Sequence, residues 1–149
     1  MTVAITRVGE ADLDDLLPLM RGYCDFYEVD PPDDALLALS RALIADPERE
    51  GVQFIARDGG TPLGFATLYW LWSTSRAARI GLMNDLFTAP EARRRGAGEA
   101  LIEACLEAVR ERGAVVLQWQ TAPDNHTAQA LYERVGGIRE KWYDYYLEA

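Results

Sequence analysis

The sequence predicts one mixed α/β domain spanning residues 1–149, with the element order βααβββαβαβ. Three observations carry this. Segments with apolar residues at helical spacing alternate with short runs rich in β-branched and aromatic residues. Asp58-Gly59-Gly60 separates two such runs, as in a tight hairpin. A strand, a helix and a strand follow one another over 79–121, a connection that makes the two strands parallel.

Val3 to Val8 reads as the first strand. Asp12 opens a helix whose apolar stripe is Leu13, Leu16, Leu17, Met20 and Cys24. Pro31-Pro32 breaks the chain, and Asp33 and Asp34 are placed to cap a second helix carrying Leu36, Leu37, Leu39, Leu43 and Ile44. Gln53 to Arg57 is a strand. Leu63 to Trp72 is a long strand, apolar on both faces and so central. After a loop at Ser73 to Arg76, Arg79 to Phe87 is the next strand. Gly98 to Arg112 is a helix with Leu101, Ile102, Cys105, Leu106 and Val109 on one stripe, ended by Gly113. Val115 to Thr121 is a strand and Thr127 to Val135 a short helix stopped by Gly136-Gly137. Ile138 to Leu147 is expected to close the domain as an aromatic strand.

A chain of 149 residues, 49% hydrophobic, is long enough for one real core. No run approaches about 18 apolar residues, so no transmembrane helix is expected. No basic stretch followed by an apolar core opens the chain, so a cytoplasmic location is expected. Cys24 and Cys105 lack the spacing of a disulfide framework or a metal site, and no metal is expected. The net charge is −9, and residues 1–50 hold 12 acidic residues against 4 arginines. A general nucleic-acid surface is therefore excluded. The acids fit either a solvated helix face or the attraction of a cationic ligand.

Against this background, Arg93-Arg94-Arg95-Gly96-Ala97-Gly98 concentrates positive charge between a strand and a helix. Two glycines let the backbone approach an anion, and a helix N-terminus aims free N–H groups at it. The run is not a P-loop, because Glu99-Ala100 follows where Lys-Ser/Thr is required. Nor is it a dinucleotide fingerprint, because Leu101 occupies the third glycine position. What remains is Arg-x-x-Gly-x-Gly, which suits a pyrophosphate without magnesium. The alternative is an arginine-rich helix start on a surface loop.

Arg93 to Gly98 resembles the acetyl-CoA pyrophosphate loop of the GNAT superfamily of N-acetyltransferases. Thr121 to Asn125, followed by Ala128, Ala130, Leu131, Tyr132, Glu133, Gly136 and Gly137, resembles that family's second block. Gly137-Ile138 stands where Gly-Phe is usual. Asn84-Asp85-Leu86-Phe87-Thr88, with Gln118 to Thr121 and Asn125, is similar to the diamine, polyamine and thialysine branch. That branch usually has Val at the position of Thr88 and often an acid at that of Asn84.

The resemblance implies a mostly antiparallel sheet with a central, splayed parallel pair and helices on both faces. It implies that the backbone of Leu86, Phe87 and Thr88 pairs with the pantetheine arm of acetyl-CoA. Arg94, Arg95, Gly96, Ala97, Gly98 and Glu99 would offer amides to the pyrophosphate, with Arg93 fixing the loop. Asn125 would bond the arm or cap its helix, and Tyr132 would protonate the leaving thiolate. Glu28, Asn84 and Asp85 would contact the acceptor, Asp85 being also a base candidate. The acceptor would be a small cationic amine. A protein amino group or a non-catalytic acyl-CoA sensor are the alternatives.

A base or water relay is needed, because holding a lysine-like amine neutral at pH 7 costs about 4.6 kcal/mol. With no Cys/His pair in place, direct transfer in a ternary complex is expected. His126 reads as a surface residue, and Trp70, Trp72 and Trp119 as core. Trp142, Tyr143, Tyr145 and Tyr146 suit either the core or a homodimer contact through the last strand.

Overall fold

The computed structural model describes residues 2–93 and 95–149. Five strands form one sheet in the order β1 (Ala4–Arg7), β2 (Gly51–Asp58), β3 (Thr61–Ser73), β4 (Ala78–Thr88) and β5 (Leu117–Gln118). The first three pairings are antiparallel and β4–β5 is parallel, as the sequence predicts. Gly59 and Gly60 both have positive φ (55° and 87°), which is the backbone a two-residue β2–β3 turn demands.

Helices cover both faces. α1 (Leu13–Phe26) and α2 (Asp33–Ala45) lie on one, and α3 (Ala97–Arg112) on the other. The short α4 (His126–Arg134) follows β5. Side-chain alternation along the central strands serves both layers. Phe65 and Phe87 face α1, where Gly22 lets the helix approach: a Cβ there would sit 2.8 Å from the Phe87 ring. Leu68 and Gly81 face α3, where a Cβ on Gly81 would meet Val109 at 2.7 Å. Leu16, Ile55, Leu63, Phe65, Leu68, Leu101 and Cys105 fill the core between the layers. Among the described residues, no helix is long and apolar enough to cross a membrane.

Three expectations are corrected. Residues 138–147 form no strand, and Ile138, Trp142, Tyr143, Tyr145, Tyr146 and Leu147 are 81–97% exposed. Strand propensity produces a strand only where backbone groups find a partner, and β5 offers a ladder of only two residues. Trp72 is not core: it is 71% exposed and carries the Arg79 guanidinium 4.5 Å from its ring centroid, whereas Trp70 is buried. Asp33 and Asp34 sit inside the first turn of α2 rather than capping it; Pro32 is the cap residue.

Much of the acidic N-terminal third has a structural use. Arg57 on β2 bonds Asp12 at 2.8 Å and Asp15 at 2.9 Å, tying the start of α1 to the sheet. Arg21 on α1 bonds Asp30, Asp33 and the Pro31 carbonyl, pinning the α1–α2 loop. The Gly9 amide donates to Asp12 at 2.8 Å and, with Arg57, holds its carboxyl below the usual carboxylate range. A depressed carboxyl stabilises the fold above its unfolded value, and that stability is lost as pH falls through the folded one. Asp12→Asn should therefore lower the unfolding free energy by about 1 kcal/mol near neutral pH, with the gap closing as pH falls to about 3, read by urea denaturation.

Candidate active site

The site begins with an irregularity in β4. Thr67 on β3 pairs with Asp85, but the next residue, Leu68, pairs with Met83. Asn84 is therefore the extra residue of a β-bulge, which bends and twists the strand locally. On its other side β4 meets β5 only through Gly81–Leu117 and Leu82–Gln118. From the bulge to Thr88 the β4 backbone stays paired with β3, but among the described residues no strand lies along its other side. A row of N–H and C=O groups is left open along Leu86, Phe87 and Thr88, which can pair with an extended ligand.

The open edge leads to the start of α3. Gly96 adopts a left-handed conformation (φ 80°) and no side chain caps the helix. Among the described residues, no side chain accepts from the first-turn amides of this 16-residue helix. A Cβ on Gly98 would come within 3.1 Å of Leu131 and 3.7 Å of the Thr88 hydroxyl. Glycine at this position thus eases the close approach of the end of β4, the start of α3 and the body of α4. Arg93 and Arg95 are exposed, Arg94 lies outside the described residues, and Glu99 sits 3.8 Å from Arg134.

Tyr132, on α4, packs edge-on against Trp119 with ring centroids 5.3 Å apart. Burial pushes its phenol up, with Tyr27 adding to the effect, so it carries its proton at neutral pH. Asn125 caps α4, its Oδ1 accepting from the Ala128 amide at 3.2 Å. His126 is the exposed first residue of that helix.

Asp85 lies on the sheet face covered by α1, beside the bulge, and accepts from Asn84 Nδ2 at 3.0 Å. No Arg or Lys among the described residues makes an ion pair with it. Glu28 follows α1 in a left-handed conformation (φ 56°), and its exposed side chain makes no hydrogen bond to Asp85. Tyr23 and Tyr69 both face Asp85, and both phenols are pushed up by burial and then by its charge, that of Tyr69 to about 12. Tyr27 stacks on Tyr23 at 4.9 Å and reaches toward Tyr132.

Three tyrosines near Asp85 and Tyr132, namely Tyr23, Tyr27 and Tyr69, escape the sequence reading. The four-residue spacing of Tyr23 and Tyr27 places both on one helix face and was the available signal. That this face meets Asp85 depends on how α1 crosses the sheet.

Residues 15–137 match the model of the acetyltransferase (GNAT) family. An uncharacterised N-acetyltransferase of Bacillus subtilis is 33% identical over 132 residues, covering 89% of this chain and 87% of the relative. A thialysine N-epsilon-acetyltransferase of Caenorhabditis elegans is 29% identical, covering 83% of this chain and 80% of the relative. A crystal structure of a probable acetyltransferase superposes with a TM-score of 0.84 at 28% identity, covering 98% of this chain and 97% of that one. The chain therefore belongs to the acetyltransferase (GNAT) family and is an acetyl-CoA-dependent N-acetyltransferase.

Proposed function

We propose that the protein acetylates a small cationic primary amine by direct attack within a ternary complex. One observation carries the choice of acceptor. A half-buried carboxylate, Asp85, lies beside the open β4 edge with neutral phenols around it and no cation paired to it among the described residues. An ammonium group supplies the missing counter-charge. The C. elegans relative is named for acetylating thialysine, a substrate of that class.

The residues present fit acetyl-CoA. Leu86, Phe87 and Thr88 would hold its arm by backbone pairing. The amides at the start of α3, from Gly96 through Ala97 and Gly98 to Glu99, would hold the pyrophosphate, with Arg93, Arg94 and Arg95 supplying charge. Asn125, its oxygen spent on the cap, retains its amide N–H groups for the arm. When bound, acetyl-CoA supplies an acyl carbon open to attack and a thiolate that leaves.

Asp85, directly or through a water, takes the proton the ammonium must lose before its nitrogen can attack. Asn84 orients that carboxylate, and Glu28, at the mouth, adds attraction for a cation. Tyr132 donates its phenolic proton to the sulfur as the carbon–sulfur bond breaks. Full transfer from an ordinary phenol to a thiolate is uphill by about 2 kcal/mol, and by more from Tyr132 because burial pushes its phenol up, a cost met within an enzymatic barrier.

The reading includes a homodimer. The six exposed apolar side chains of residues 138–147 form one contiguous arm, and β5 presents a short, open sheet edge. A second copy, related by two-fold symmetry, covers both at once.

Free thiol released from acetyl-CoA across a panel of amines and peptides tests the activity. Small diamines or lysine-like amines should turn over best, and CoA binding without turnover of any acceptor contradicts the proposal. Tyr132→Phe should lower kcat by about tenfold to a hundredfold while CoA affinity is retained. In sedimentation, the full chain should be a dimer and a chain ending at Gly137 a monomer. A monomeric full chain removes the dimer.

A further inference from the structure

We infer that Tyr23 is a positioning residue of the acceptor site: its phenol donates a hydrogen bond to Asp85 and, with Tyr69, walls the carboxylate with aromatic rings that receive an alkylammonium group. This rests on the reading of Asp85 as the acceptor's carboxylate.

The geometry starts in the sheet. Gln53, Thr67 and Asp85 are register partners on β2, β3 and β4, so they form one row on the face beneath α1 and α2. The row is buried at one end and open at the other. Gln53 is 3% exposed and donates from Nε2 to Thr67 Oγ1 at 3.0 Å; Thr67 is fully buried; Asp85 is half-buried. Tyr69, two residues beyond Thr67, stands on the same face.

The helix supplies the lid over the open end. The Tyr23 ring meets Phe65 edge-on at 6.0 Å, and Phe65 pairs with Phe87 across β3–β4, two residues along from Asp85. Tyr27 packs on the other side of Tyr23 at 4.9 Å, tilted by 53°. Held between them, Tyr23 has little rotamer freedom, and burial and then the nearby Asp85 charge push its phenol up.

The groups facing Asp85 are Tyr23 and Cys24 from α1, Tyr69 from β3 and Asn84 on its own strand. All are neutral donors or weak acids. Arg21, on the same helix, is engaged by Asp30, Asp33 and the Pro31 carbonyl. A half-buried carboxylate beside neutral donors and rimmed by aromatic faces favours an ammonium group, which can pair with the carboxylate while its charge lies over a ring face. It disfavours an acceptor that places a second carboxylate there.

The test is a double-mutant cycle of Tyr23→Phe and Asp85→Asn, measuring kcat and KM separately for the best amine of the panel. In parallel, the Tyr23 ring carbon bearing the hydroxyl is followed by NMR in the ligand-free wild type and in Asp85→Asn. Tyr23→Phe should lower kcat/KM about tenfold with Asp85 present, mainly through amine KM, and less than about twofold in the Asp85→Asn background. The Tyr23 resonance should move when Asp85 becomes Asn. An equal loss in both backgrounds, or a resonance that stays put, overturns the inference. The NMR arm needs neither turnover nor a folded Tyr23→Phe. A moving resonance in a protein that acetylates no amine upholds the Tyr23–Asp85 pairing and refutes the proposed acceptor.

Discussion

The departure of β4 from β5 is the feature on which the rest of this site depends. A sheet normally satisfies its backbone by pairing every interior strand on both sides. Here the parallel ladder stops after Leu82, and the bulge at Asn84 turns the remainder of β4 away. The exposed edge is tolerable because a ligand's amides can complete it. The gap also joins the two faces of the sheet. Tyr132 approaches from the side of α3 and α4, while Asp85, Tyr23 and Tyr27 stand on the side of α1.

Charge is distributed with the same economy. The −9 of the chain suggests a broad acidic field, yet Asp12, Asp15, Asp30 and Asp33 are paired with Arg57 and Arg21. Those pairs fix α1 on the sheet and the α1–α2 loop against α1. Position therefore matters more than total charge. Asp85 sits where no arginine or lysine among the described residues pairs with it, which is what the proposed cationic acceptor rests on.

The sheet's skeleton was legible because its signals are local. Asp58-Gly59-Gly60 sets a hairpin whatever surrounds it, and the strand–helix–strand of 79–121 fixes a parallel pair. The start of α3 could be read from glycine spacing, because Gly96 needs a positive φ and Gly98 a close approach. What escaped depends on partners distant in sequence. Residues 138–147 have the composition of a strand, but the sheet edge at β5 is only two residues long. Trp70 and Trp72 share a strand face, yet β3 outruns the core between them, so only Trp70 is buried. Tyr23 and Tyr27 announce a helix face, but not the carboxylate beneath it. Asn125 was open between cap and ligand, and the Ala128 amide shows that it caps.

That β4 and the start of α3 form one continuous acetyl-CoA site is tested most directly by amide hydrogen exchange with and without the coenzyme. The expected result is new protection at two places together, residues 84–88 of β4 and residues 97–99 of α3, with the hairpin at 58–61 unchanged. Protection confined to another part of the fold, such as the cleft where Arg7 and Gly9 meet Ser40 and Leu43 of α2, would contradict it.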